Sequence, residues 1–262
     1  MKISNKSEKS RGILAFAYNV DSIDYVSIAT KTLDLAGHKL NLPYTLITDK
    51  QYKNNVYNSR YDIDSDKFIE WRNVGRHAAY ELSPYDETLV IDVDYIIADA
   101  GLLKIFDLNW DYLLQRNSFA LTTEWPKTMG KSSLPYVWAT VFAFRKTKRT
   151  ELFFNLISRI QKNYAYYCAL FNVEQRNFRN DYAFAMADII LNGYALSNHS
   201  IPENMLAVDQ VIQSIEILEN KFIIKDKTKS YLTPIMNLHI MSKAYLQSNN
   251  FENLIKELKY AA

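Results

Sequence analysis

Two aspartates one residue apart, Asp92 and Asp94, sit in the run Leu89-Val-Ile-Asp92-Val-Asp94-Tyr-Ile-Ile97. Apolar residues flank both, and residues 87–98 read as the clearest strand of the chain. Side chains on a strand alternate faces, so Val90, Asp92, Asp94 and Ile96 are expected to share one face. Two carboxylates crowded on a buried strand cannot both stay ionised unaided, because desolvation and mutual repulsion raise at least one pKa. A divalent cation removes the conflict, and Mn²⁺ or Mg²⁺ takes oxygen ligands of this kind. A metal so held can bridge the two phosphates of a nucleoside diphosphate. The plain alternative is an edge strand with a solvated acidic face, and the poor fit of aspartate to strand interiors weighs against it.

The glycines sharpen that reading by exclusion. The 262-residue chain has only six, Gly12, Gly37, Gly75, Gly101, Gly130 and Gly193, no two closer than 25 positions. A dinucleotide-binding G-x-G-x-x-G turn and a P-loop each need several glycines in one short turn, so neither is present. Clustered glycines beside an arginine are also what a sugar-nucleotidyltransferase needs at its N-terminus, and Gly12 stands alone after Arg11. If phosphates are bound, a metal and isolated basic residues must hold them.

Asp92-Val93-Asp94 at the end of an apolar strand, after an α/β half, resembles the D-x-D motif of GT-A-fold glycosyltransferases. The likeness is to family 8, the glycogenin, galactinol synthase and lipopolysaccharide galactosyltransferase group. It spans most of residues 12–245 and implies a nucleotide-sugar donor, a UDP-sugar, with Mn²⁺ or Mg²⁺ as cofactor. It implies that Asp92, Asp94 and a late histidine, His239, hold the metal. Arg76, 16 residues before Asp92, would contact the donor sugar and diphosphate, and Lys243 the diphosphate. Asp181, at the start of a helix, would lie near the acceptor or donor sugar, or would serve as a helix-start acid complementing the dipole. Tyr18 and Asn19, after the first strand, fall where the family binds base and ribose. Retention at the anomeric carbon follows from the resemblance alone. The sequence departs from the pattern at Ser242, where the family usually has glycine, at Lys243, which follows His239 by four residues where the family's lysine follows by six, in lacking Pro-Trp, and at Trp138-Ala-Thr140, where many members have Asn-Ser-Gly.

The elements that must position these residues read as α/β. Strands are expected at 13–18 and 44–48, helices at 21–40 and 67–82, and a polar loop at 50–66. Further strands fall at 119–123 and 136–144, helices at 150–170, 180–191 and 250–260, and apolar runs at 222–224 and 235–241. Short strands alternating with helices predict a single mixed, mostly parallel sheet flanked by helices. No boundary divides the chain. It reads as one GT-A-like catalytic domain, 1–262, with a nucleotide-binding half at 12–98 and an acceptor half at 99–262.

Lys and Arg total 31 against 29 Asp and Glu, a formal +2, which does not suit a protein that coats nucleic acid. One cysteine excludes an intrachain disulfide framework, and four scattered histidines offer no His-x-x-x-His pair. No apolar run is long enough to span a membrane, and 13–18 is too short for a signal-peptide core, so a cytoplasmic location is expected, host cytoplasm if the source is viral. Arg145-Lys-Thr-Lys-Arg149, followed by aromatics from Tyr164 to Tyr182, would serve as a grip on nucleic acid, as a solvated face, or as a sugar-stacking cleft. The acceptor is therefore open: a glycan, a small molecule or a modified DNA base. A metal-dependent nuclease and a non-catalytic GT-A-like binding module are the rival functions.

Overall fold

The computed structural model describes residues 9–19, 23–48, 53–122, 124, 126–174 and 177–260, with 53–62 and 68–74 described by their backbone alone. The described elements start with β1 (Arg11–Phe16), helix α1 (Tyr25–Leu40) and β2 (Tyr44–Ile47). A hairpin follows, β3 (Lys53–Asp62) and β4 (Lys67–Val74), then a 3-10 turn, Arg76–Ala78, that runs into α2 (Ala79–Leu82). Next come β5 (Glu87–Ile91), β6 (Tyr95–Ile96), β7 (Tyr112–Gln115), β8 (Ser118–Ala120) and β9 (Trp138–Arg145). Helices α3 (Lys148–Lys162), α4 (Tyr164–Leu170) and α5 (Asn180–Leu191) precede β10 (Met205–Val208). Three antiparallel strands, β11 (Ile212–Leu218), β12 (Lys221–Asp226) and β13 (Ser230–Pro234), lead to β14 (Asn237–Ile240), α6 (Lys243–Leu246) and α7 (Asn249–Tyr260).

The fold is mixed α/β. The central sheet runs β2-β1-β5-β9-β7, with β1 parallel to both β2 and β5 and the β5/β9 and β9/β7 pairs antiparallel. A second sheet, β6-β14-β10-β8, stands beside it, with β14 and β8 parallel to β10 and β6 antiparallel to β14. Strand alternation sorts the core. Leu14 and Phe16 face one cluster with Phe142, Phe144, Phe153 and Phe184, while Ile13 and Ala15 face another with Leu33, Ala36, Leu89 and Val141. A third cluster joins α1, the second sheet, the three-stranded sheet and α7 through Leu35, Leu206, Phe222, Leu238 and Phe251. Helix α1 has sharp ends: Asp24 accepts from Ser27 N at 3.0 Å, and Asn41 terminates the helix in the left-handed region at φ 48°.

Four expected elements differ. Residues 53–62, read as loop, are strand β3, and 67–74, read as the first part of a helix, are strand β4. Phe68-Ile-Glu-Trp71 is rich in β-formers, and pairing with β3 satisfies the backbone groups along one edge. The strand expected over 87–98 ends at Ile91 and resumes at Tyr95 in the other sheet. The helix expected over 150–170 divides at Asn163, whose N–H bonds to Arg159 O and Ile160 O and ends α3. Residues 21–22, 50–52 and 123, at the edges of expected elements, lie outside the described residues.

Candidate metal centre

Asp92 and Asp94 are therefore not on a strand, and their convergence does not come from strand alternation. They occupy the turn by which the chain leaves the central sheet and enters the second. Tyr95 N donates to Asp92 O at 3.2 Å and closes that turn. Three elements pin its backbone: Asp92 N donates to Thr140 O at 2.8 Å, Ile240 N to Asp94 O at 2.9 Å, and the buried Thr32 of α1 gives its hydroxyl to Val93 O at 2.8 Å. A turn held from β9, β14 and α1 fixes its two carboxylates in space.

The second sheet brings the third group. His239 lies on β14 opposite Tyr95, so β-pairing alone sets it beside the turn. One ligand atom from each of Asp92, Asp94 and His239 lies within 4.8 Å of the others. His239 Nε2 is 3.5 Å from Asp94 Oδ1, and Trp138 packs edge-on to the imidazole at 5.0 Å between centroids. His239 Nδ1 is buried and has no hydrogen-bond partner among the described residues. Two carboxylates and an imidazole whose Nε2 faces one of them are a donor set that fits a divalent ion, and the imidazole suits Mn²⁺ better than Mg²⁺.

Each carboxylate also faces a cation. Arg76 begins the short helical stretch, residues 76–82, that leads into β5. It opens the 3-10 turn after β4, where its Nη2 donates to Asp92 Oδ1 and its Nη1 to Ala139 O at 2.7 Å. Lys243, the first residue of α6, donates its Nζ to Asp94 Oδ2. Asp94 is 6% exposed and Lys243 4%. Burial on its own would push the Asp94 carboxyl up, but the Lys243 ammonium and His239 outweigh it and hold Asp94 well below the usual carboxylate range. Burial lowers the Arg76 guanidinium from its high ordinary value, against the pull of Asp181 and Asp94.

Asp181 stands one backbone unit away. Its Oδ1 accepts from Ala139 N at 2.8 Å and its Oδ2 from Arg179 at 2.9 Å. Asp181, Ala139, Arg76 and Asp92 thus form one chain of hydrogen bonds from the start of α5 to the turn. The neighbouring Asp181 raises the Arg179 guanidinium further. Tyr18 and Asn19 follow β1 at the same sheet edge at which Asp92 follows β5, because β1 and β5 are parallel. Tyr18 is buried, and Asn19 Oδ1 accepts from Val26 N at 2.9 Å in the first turn of α1. The five residues Arg76, Asp92, Asp94, His239 and Lys243 come together, whereas Asp181, Tyr18 and Asn19 lie around them.

No family model matches this chain, and no curated protein matches it. Among solved structures, an active-site mutant of LgtC is 14% identical at a TM-score of 0.43, covering 73% of this chain and 80% of that one. The apo form of the glycosyltransferase GlyE of Streptococcus pneumoniae TIGR4 is 11% identical at 0.37, covering 73% of this chain and 46% of that one. The inositol-1-phosphate CTP transferase of T. maritima is 7% identical at 0.37, covering 97% and 98%. These are partial likenesses of chain path, and the chemistry of the site stands on its own residues.

The basic stretch is bonded to the fold in part, with Lys146 and Lys148 exposed. Arg145 donates to the buried Glu87 at 2.7 Å and lies over the Trp110 ring, Lys146 donates to Ser83 O at 2.7 Å, and Arg149 to Asn192 at 2.8 Å. Tyr164, Tyr167 and Phe178 are core. Among the described residues, no helix is long and apolar enough to cross a membrane. One residue at the site escaped the sequence reading, Asp64, which accepts from Ser242, Lys243 and Ala244. Its signal was available: Asp64-Ser-Asp66 between two β-forming runs is a hairpin turn.

Proposed function

We propose that this chain is a metal-dependent glycosyltransferase of GT-A type, a single catalytic domain that moves a sugar from a nucleotide-sugar donor, a UDP-sugar, to an acceptor. The observation that carries this reading is the convergence of Asp92, Asp94 and His239 with two cations, Arg76 and Lys243, each on one carboxylate. Two negative and two positive side chains balance. A divalent ion adds charge that an anionic diphosphate, rather than a neutral ligand, would offset. A nuclease using the same pair draws on further convergent carboxylates, and the third member of this group is an imidazole.

Asp92, Asp94 and His239 would hold Mn²⁺, or Mg²⁺, which when bound supplies Lewis-acid stabilisation of the leaving diphosphate. Arg76 keeps one arm of its guanidinium on Ala139 O, so the other is aimed at the site without further reorganisation. Lys243, held at the opposite side of the turn, places an ammonium within reach of the same charge. Both residues neutralise negative charge as the nucleoside diphosphate departs. Asp181 acts at one remove, fixing Ala139 and hence Arg76, and so positions the sugar-binding side of the site. Tyr18 and Asn19 border the edge where base and ribose would lie.

A thermal-shift screen of nucleotide sugars with and without Mn²⁺ tests the proposal. One UDP-sugar is expected to stabilise the protein only when the metal is present, by about 2.7 kcal/mol at a hundred times Kd. Donor turnover that persists in excess chelator would sink it.

A further inference from the structure

Helix α6 is four residues long and opens on Lys243. Ser242 Oγ accepts from Tyr245 N at 3.2 Å and Ser242 O from Leu246 N at 3.4 Å. The two amides before these, Lys243 N and Ala244 N, donate to Asp64 Oδ2 at 2.5 and 3.0 Å. Ser242 Oγ donates to Asp64 Oδ1 at 2.6 Å. Every early amide of the helix is therefore satisfied, two of them by a carboxylate from 179 and 180 positions away.

That carboxylate sits in the turn, residues 63–66, that joins β3 to β4. At the other end of the hairpin, β4 closes at Val74, and Gly75 leads directly into Arg76. One hairpin thus delivers Arg76 to Asp92 at its base and, through its tip, fixes the backbone of the residue whose ammonium meets Asp94. Ser242 already supplies an ordinary cap, so a remote acceptor is more than helix ends usually employ. A helix this short has little stability of its own, and its position depends on what holds it.

We propose that Asp64 is a latch, a positioning residue that holds Lys243 against Asp94, so that the β3–β4 hairpin straps the diphosphate end of the donor site. The role of that site rests on the function proposed above; the latch itself does not.

Lysine-selective acylation followed by mass spectrometry reads the latch directly in the protein alone. In Asp64→Ala, which removes three hydrogen bonds, labelling of Lys243 is expected to rise by about tenfold or more, tenfold being the worth of one such bond near 1.4 kcal/mol. Lys146, tied to Ser83 O, should not change. Asp64→Asn, which keeps one acceptor oxygen, should fall between. Unchanged Lys243 labelling in Asp64→Ala overturns the latch. If thermal unfolding shows Asp64→Ala to be globally loosened, Asp64→Asn decides, a rise confined to Lys243 supporting the latch and no rise overturning it. Calorimetry with UDP and Mn²⁺ then separates the two proposals. Asp64→Ala should bind UDP more weakly than the wild type, and equal affinity despite a freed Lys243 overturns the positioning role. A wild type that binds no UDP in Mn²⁺ defeats the proposed function, while the labelling result still decides the latch.

Discussion

The ammonium of Lys243 is bonded to Oδ2 of Asp94, and both side chains are buried where the two sheets meet. The pair carries an internal competition. Lys243 neutralises the carboxylate that a divalent ion would need, and a diphosphate offers the ammonium an alternative partner. Lys243→Met is expected to bind Mn²⁺ alone more tightly, by roughly tenfold for one charge-assisted hydrogen bond, and UDP in the presence of Mn²⁺ more weakly by a similar factor. Titration calorimetry measures both. Weaker binding of both ligands would contradict the competition and assign Lys243 to structure.

Arg76 spans two acceptors, Ala139 O and Asp92 Oδ1. A lysine is a point charge on a flexible stem and cannot hold both. Arg76→Lys should fold and lose roughly a hundredfold in turnover, in kcat more than in the donor KM, as expected for a group that stabilises developing charge. Initial-rate kinetics decide. A change in KM with kcat preserved would place Arg76 in ground-state binding only.

Gly12 needs its missing side chain for packing. A Cβ there would sit 2.3 Å from Tyr85 Cζ, and Tyr85 is anchored to Thr45 Oγ1 at 3.0 Å. Gly12→Ala is expected to cost about 1–3 kcal/mol, the usual penalty of overpacking. Thermal unfolding should show most of that loss recovered in Gly12→Ala/Tyr85→Ala relative to Tyr85→Ala. Additive effects would rule out the clash.

Asp188 on α5 is buried and accepts from Tyr112 at 2.9 Å, Ser197 at 2.7 Å and Arg116 at 2.6 Å, with His199 Nδ1 at 3.4 Å. Burial would raise its carboxyl, but the bonds from His199 and Ser197, with Arg116, hold it below the usual carboxylate range. A depressed folded pKa stabilises the protein above the unfolded value, about 3.9 for Asp, and that contribution disappears as pH falls through the lower folded value. Asp188→Asn should therefore lose about 3 kcal/mol near neutrality. The gap to wild type should narrow below about pH 4. Denaturant melts across pH 2–7 would show it, and a gap independent of pH would dissociate the effect from this carboxylate.

Much of the site was legible because its residues are conspicuous by type. Two aspartates in an apolar run, a late histidine and a lysine four residues after it stand out in any reading of the chain, and all four meet in space. Helix α5 was legible at both ends for a local reason: a largely apolar run, Ala183 to Leu191, starts just after the helix-start acid Asp181 and stops at Asn192-Gly193. The hairpin was not, because a tyrosine-rich polar segment and a mixed apolar one commit to strand only when they pair with each other.

The sequence by itself determined which groups can do chemistry and which phosphate-binding devices are absent, since composition and spacing are properties of the chain. Tertiary structure decided how those groups meet. Asp92 and Asp94 converge at a turn between two sheets, not along one strand, and that turn is set by bonds from Thr32, Thr140 and Ile240. Arg76 reaches Asp92 from the foot of a hairpin whose tip, at Asp64, holds Lys243. Contacts separated by tens to hundreds of residues leave no periodic trace in a sequence, because each is fixed by the packing of the elements that carry it.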